Sequence, residues 1–204
     1  MTTPGSAQAK PPPRERLLDA AADLFYRRGT ATGVDALCKA AGVSKRSMYQ
    51  LFAGKDEVLA AALERIGPPL EAALLPPPDA PADPRARILY VFERMEEAAA
   101  QAGYHGCPYL SAQVELKDPA HQASVVAARN KQQMTAHFLT EAERAGAADP
   151  ELVARRLMVV YDGASARAGI GSEHLDGLSA GLAALVLDAA GITGAGAAGS
   201  GAAG

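Results

Sequence analysis

The stretch that decides the fold is TGVDALCKAAGVSKRSMYQLFAGK, residues 32–55. Thr32 precedes an apolar pattern that runs from about Gly33 to Ala41, the place where a threonine hydroxyl caps a helix. Gly42 stops that helix, and Ser44 caps another that continues to Phe52. Two helices of fewer than three turns, separated only by Gly42, Val43 and Ser44, make a helix-turn-helix. On a helical wheel Met48, Leu51 and Phe52 share one face and are expected to dock. Arg46 and Gln50 lie opposite, flanked by Ser47 and Tyr49. An exposed Arg and Gln can each make paired hydrogen bonds to a base edge, Arg to guanine and Gln to adenine, while Lys45, Ser47 and Tyr49 reach phosphate oxygens. The wheel alone leaves a second reading open, in which these are solvated surface residues.

Working outward, Leu17, Leu18, Ala21, Leu24 and Phe25 recur at helical spacing and end at Gly29, so Arg14 to Arg28 reads as a preceding helix. Lys55 opens a longer helix through Val58, Leu59, Ala62, Leu63 and Ile66, with an interruption expected at Gly67, Pro68 and Pro69. PPPDAPADP, residues 76–84, reads as a linker. Further helices are expected at about 84–102, 109–116, 119–146, 149–170 and 173–190, each bounded by Pro or Gly. Few aromatics, no Trp and scarcely any alternating β-branched runs place the chain in the all-α class. The expected organisation is a low-complexity, disordered arm at 1–13, a helix-turn-helix domain at 14–60, a larger helical domain at 61–191 and a disordered Gly/Ala-rich tail at 192–204.

Charge follows that division. Residues 14–60 carry eight Lys/Arg against six acids, and residues 61–204 carry eleven against seventeen, so a mildly basic head precedes an acidic body. The two cysteines, Cys38 and Cys107, lie far apart with no C-x-x-C spacing, which argues against a disulfide framework or a cysteine zinc site and fits a reducing cytoplasm. The N-terminal stretch lacks the apolar core of a signal peptide, and the apolar run Gly177–Leu187 is too short to span a bilayer. A soluble, cytoplasmic protein without membrane contact is expected.

The run Arg16 to Leu63 resembles the N-terminal domain of TetR-family transcriptional regulators, over about a quarter of the chain. RLLDAAADLFYRRG mirrors the family's opening helix, TGVDALCKAAGVS its second helix, and SKRSMYQLFAGKDEVL its recognition helix with the following lysine. The resemblance implies that Thr32, Tyr49 and Lys55 anchor phosphates, and that Lys45, Arg46, Ser47 and Gln50 face bases. It also implies a homodimer on a palindromic double-stranded DNA operator, with a small-molecule effector in the C-terminal helices and repression as the usual outcome. The chain departs from the pattern at Arg46, where Gly is common, at Leu51, where His is frequent, and at Cys38, where Ala is common. Cys38 reads as a small core residue.

In the body, Asn130, Met134, His137 and Glu141 fall on one face of the 119–146 helix among small and apolar residues. Polar groups in an apolar wall are what orients a ligand, and the alternative is that they bond to neighbouring helices or reach solvent. The irregular segment GYHGCPYLSAQVEL, residues 103–116, adds Tyr104, Tyr109 and Gln113 as effector candidates, against ordinary packing roles. Leu182, Leu185 and Val186, with Val160, Ala164 and Ala168 and the small Gly163 and Gly169 on the preceding helix, are the candidate dimer face. No metal and no cofactor is expected, since His105-x-Cys107 has no second ligand pair. An enzyme built on His105, Cys107, Glu115 or His121 is the remote reading, because no recognisable catalytic motif accompanies them. A nearer rival is a DNA-binding regulator whose body only oligomerises.

Overall fold

The computed structural model describes residues 10–172 and 174–194, and these residues hold helices α1 Pro13–Arg28, α2 Val34–Ala41, α3 Lys45–Leu51, α4 Lys55–Leu74, α5 Pro84–Ala99, α6 Pro108–Leu116, α7 Gln122–Arg144, α8 Pro150–Gly169 and α9 Leu178–Ala189. The chain is all-α with an N-terminal helix-turn-helix. Most of the expected arm and most of the Gly/Ala-rich tail lie outside the described residues, as does Glu173, the expected start of the last helix.

The head forms because α1 buries Leu17, Leu18, Ala21, Leu24 and Phe25 against α2, α3 and α4. Leu37, Met48, Val58 and Leu59 complete that core, each at 1 % exposure or less. Cys38 is buried there, its Sγ 3.9 Å from Met48 Sδ. The turn between α2 and α3 is set by Gly42, which adopts φ 62° and ψ 42°, a conformation that costs other residues energy. The Arg16 guanidinium donates to the carbonyls of Ala41 and Gly42 at 2.8 and 2.9 Å, satisfying acceptors that α2 leaves open at its C-terminus.

Three expectations about local structure are corrected. Thr32 does not cap α2: Gly33 occupies that position, and the Thr32 hydroxyl instead donates to the Gly29 carbonyl at 3.0 Å. Leu51 does not dock, being 40 % exposed, because it is the last residue of the short α3; Phe52 leaves the helix in an extended conformation and puts its ring into the core. Nor is α4 broken at Gly67, Pro68 and Pro69; it continues to Leu74. The prolines sit on the exposed side, and Gly67 lets the buried side approach Tyr109 and Asn130 closely.

In the body α7 packs on α4, α6 and α8, while α9 lies across α5 and α8. Phe92 of α5 stacks on Phe138 of α7 with ring centroids 5.6 Å apart, and Tyr161 of α8 meets Phe92 edge-on at 6.3 Å. Such pairs contribute about 0.5–1.5 kcal/mol beyond burial. Asp83 and Asp149 cap α5 and α8 through the N–H groups of Ala86 and Leu152. α9 begins at Leu178, later than expected, and is capped from another helix: Glu96 of α5 accepts from Gly177, Ser179 and Ala180 N–H and from the Ser179 hydroxyl. Burial pushes the Glu96 carboxyl up, but these hydrogen bonds outweigh it and hold the group below its ordinary range.

Candidate nucleic-acid interface and the body behind it

Ser44 caps α3 by accepting from Ser47 N–H at 3.0 Å, and the helix is held by Met48, which is fully buried. That anchoring turns Lys45, Arg46, Tyr49 and Gln50 outward as exposed side chains. Lys45 pairs with Asp35 of α2 at 2.7 Å, and the Ser47 hydroxyl lies 2.9 Å from that of Ser44. Arg46, Tyr49 and Gln50 carry no hydrogen bond or ion pair to any described residue, so their polar groups are unengaged by the protein.

The two phosphate candidates outside α3 are placed differently. Thr32 is 8 % exposed with its hydroxyl given to Gly29, and Lys55 Nζ donates to the Thr30 carbonyl at 2.8 Å. Both therefore hold the loop between α1 and α2. An ammonium has three N–H donors, so Lys55 retains two for an anion.

Polar contacts among the described residues tie this head to the body. Thr30 donates through N–H and hydroxyl to Glu115 of α6, at 2.5 and 2.8 Å. Tyr26 of α1 accepts from His105 N–H at 2.9 Å and meets the His105 ring edge-on at 5.3 Å. His121 Nε2 lies 3.5 Å from Asp56, and Arg65, on the body part of α4, pairs with Glu15 and Asp19 of α1. The residues of the remote enzymatic reading are thus engaged in joining the two halves, except Cys107, which is buried with its thiol pKa pushed up by burial. Among the described residues, no three His, Cys, Asp or Glu side chains gather as a metal site.

Two adjoining cavities lie beneath the joint and share Leu70, Leu74, Cys107 and Tyr161 as a common wall. The smaller, ≈ 40 Å³, is bordered by Tyr109, Asn130 and Met134 among others, and the larger, ≈ 380 Å³, by Tyr104. Four of the six effector candidates therefore come together across one wall. Gln113 and His137 border neither cavity. His137 sits one turn beyond Met134, its Nε2 buried without a partner among the described residues and its pKa held down by burial. Glu141, 3 % exposed, is taken up by ion pairs with Arg87 and Arg144. Sequence reading missed Tyr26 and Tyr161, whose place on the cavity wall depends on which helices meet.

Elsewhere in the body, α8 and α9 leave large apolar side chains uncovered. Leu182 and Leu185 are 43 % and 64 % exposed, and Val186 and Val160 are half-buried. Ala164, however, is buried in the chain's own core, Ala168 is half-buried, and Gly169 packs against the backbone of Gly106. The outward stripe of α8 is one residue over, at Leu152, Val159 and Gly163, and continues to Ile170.

A helix-turn-helix head with an unengaged reading surface, on a helical body, defines a DNA-binding transcriptional regulator. The family model for bacterial regulatory proteins of the tetR family matches residues 17–62. A TetR transcriptional regulator from Streptomyces avermitilis (sav143) is 57 % identical, with a TM-score of 0.87, over 90 % of this chain and 100 % of that one. This chain belongs to the TetR family. SCO4454, a TetR-family transcriptional regulator from Streptomyces coelicolor, shares the fold at 24 % identity and TM-score 0.80, covering 87 % of this chain and 95 % of that one. The reduced form of Escherichia coli NemR does so at 24 % and 0.70, covering 83 % and 94 %. No curated protein matches the chain. Among the described residues no helix is long and apolar enough to cross a membrane.

Proposed function

We propose that the chain is a cytoplasmic, homodimeric repressor that binds a palindromic operator and is released from it by a small molecule. The observation that carries this reading is the course of α6. Its N-terminal Cys107–Pro108 borders the larger cavity, and Glu115 in its last turn holds Thr30 at the base of the DNA-reading head. A ligand that displaced the start of α6 would move the loop that Lys55 and Thr32 also grip. DNA and effector then bind with opposed affinities, since each favours one placement of the head.

Pairing through α8 and α9 is supported by the uncovered Val159, Ile170, Leu182 and Leu185, a surface of the kind that marks an association site. A two-fold partner places two recognition helices on successive turns of one DNA face. The rival reading, a body that only oligomerises, has no use for cavities at the joint. Nor does the body require the chain to be an enzyme, because His105, Glu115 and His121 are engaged in contacts with the head.

The test is selection of bound sequences from a random DNA pool by the full chain, followed by anisotropy titration of the selected operator with and without metabolite mixtures. The expected result is a palindrome bound by two chains and released by one fraction of the mixture. A non-palindromic site bound by one chain, or an operator that no mixture releases, overturns the corresponding part.

A further inference from the structure

The larger cavity is not confined to the body. Ala22, Asp23 and Tyr26 of α1 form one side of it, facing Leu70 and Leu74 of α4, Met95 and Ala98 of α5, Gly106–Pro108 before and at the start of α6, and Tyr161 of α8. Whatever fills it touches the DNA-reading head directly.

Its chemistry is narrow. The bordering residues include no Lys, Arg or His, and the single acid, Asp23, is exposed and ion-paired with Arg27. An anion entering would lose its hydration without meeting an unpaired cation, since Lys131, over the Tyr161 ring at 5.2 Å, is paired with Asp162. The remaining polar groups are phenols. Tyr104 and Ser165 share one hydrogen bond at 2.9 Å, and the Tyr26 hydroxyl accepts from His105 N–H and has no acceptor for its own proton among the described residues. Tyr161 is 5 % exposed and its hydroxyl has no hydrogen-bond partner among them. Burial pushes Tyr104 up to about 12 and Tyr161 well above its ordinary value, so these phenols keep their protons at neutral pH. The unspent Tyr26 and Tyr161 donors in an apolar chamber call for an acceptor on the occupant.

We infer that the cavity between α1 and the body takes a neutral, largely apolar ring compound bearing a carbonyl-type acceptor, which Tyr26 and Tyr161 recognise by donating hydrogen bonds. At ≈ 380 Å³ the chamber lies near the lower end of ligand sites, with room for a two- or three-ring framework. The inference rests on the effector reading and specifies the ligand for it.

The experiment uses four naphthalenes of similar size: 2-acetylnaphthalene, neutral with an acceptor; 2-ethylnaphthalene, neutral without one; 2-naphthoate, an anion; and the 2-naphthyltrimethylammonium cation. Binding to the full chain is measured by equilibrium dialysis, and operator release by anisotropy on the same samples. The ketone is expected to bind about fivefold more tightly than the hydrocarbon, and the naphthoate more weakly than both. Tyr161→Phe, which keeps the ring, removes the ketone's advantage and leaves the hydrocarbon unchanged; Ala22→Leu weakens both by narrowing the chamber at α1. Tighter binding of the anion or the cation overturns the inference, as does a ketone advantage that survives Tyr161→Phe, or no binding by any of the four. Binding in the expected order without any operator release supports this ligand class and instead sinks the effector reading.

Discussion

Replacing Arg46 by Ala separates base reading from phosphate anchoring. Of the polar residues at the start of α3, Lys45 is paired with Asp35 and Ser47 with Ser44, whereas Arg46 is exposed and unengaged. Its guanidinium pays no internal bond on meeting a guanine edge, so the full value of a paired contact is at stake, about 1–3 kcal/mol per half-site. Two half-sites make that about 2–6 kcal/mol, so operator affinity falls by roughly 30-fold at the low end. The folded head is expected to be unaffected, since nothing in it leans on the side chain. The assay is anisotropy with the operator and its single-base variants at several salt concentrations. One base position in each half-site should lose its preference. Lys55→Ala provides the contrast: it weakens all sequences alike, lowers the salt slope by roughly 0.9 per subunit, and also lowers the melting temperature, because the Thr30 carbonyl loses its donor. If Arg46→Ala lowers affinity uniformly with no base position relaxed, Arg46 is a phosphate contact and base reading falls to Gln50 and its neighbours.

Leu185→Asp should give a folded monomer by light scattering, since the side chain is 64 % exposed in the single chain, while Leu187→Asp, at a fully buried position beside it, should unfold; a Leu185→Asp dimer removes α9 from the interface. Glu115→Ala should cost about 1 kcal/mol of stability and reduce the effect of an effector on operator affinity, because the head then loses its hydrogen bonds to α6; unchanged release refutes α6 as the link. Glu96 is lowered from its ordinary value of 4.5, so its stabilising effect on the start of α9 is fully present above that pH and is lost as pH falls through the lowered folded value. Urea unfolding should accordingly show the advantage of the native chain over Glu96→Gln shrinking below pH 4.5, and an advantage that holds at lower pH contradicts the capping role.

The helix-turn-helix was legible because its determinants are local. Gly42 needs a left-handed backbone, Ser44 caps the turn that follows it, and Leu17, Ala21, Leu24 and Phe25 lie at spacings that only a helix brings to one side. The all-α class and the positions of most helices in the body follow from the same periodicity. What depended on distant partners was not legible. Pro68 and Pro69 look like a break until Gly67 is seen pressed toward Tyr109 and Asn130, with the prolines turned outward. Along α8 one stripe runs through Val160, Ala164 and Ala168 and the next through Val159, Gly163 and Ile170; a rotation of about 100° separates them, and both are apolar. Periodicity cannot choose between two apolar stripes, and the choice is made by the neighbours α7 and α9, which bury Ala164 and leave Val159 uncovered. The spare valences of Lys55 and the joining of Tyr26, Tyr104 and Tyr161 around one chamber have the same origin, since residues far apart in sequence acquire a common chemistry only when packing sets the distances between them.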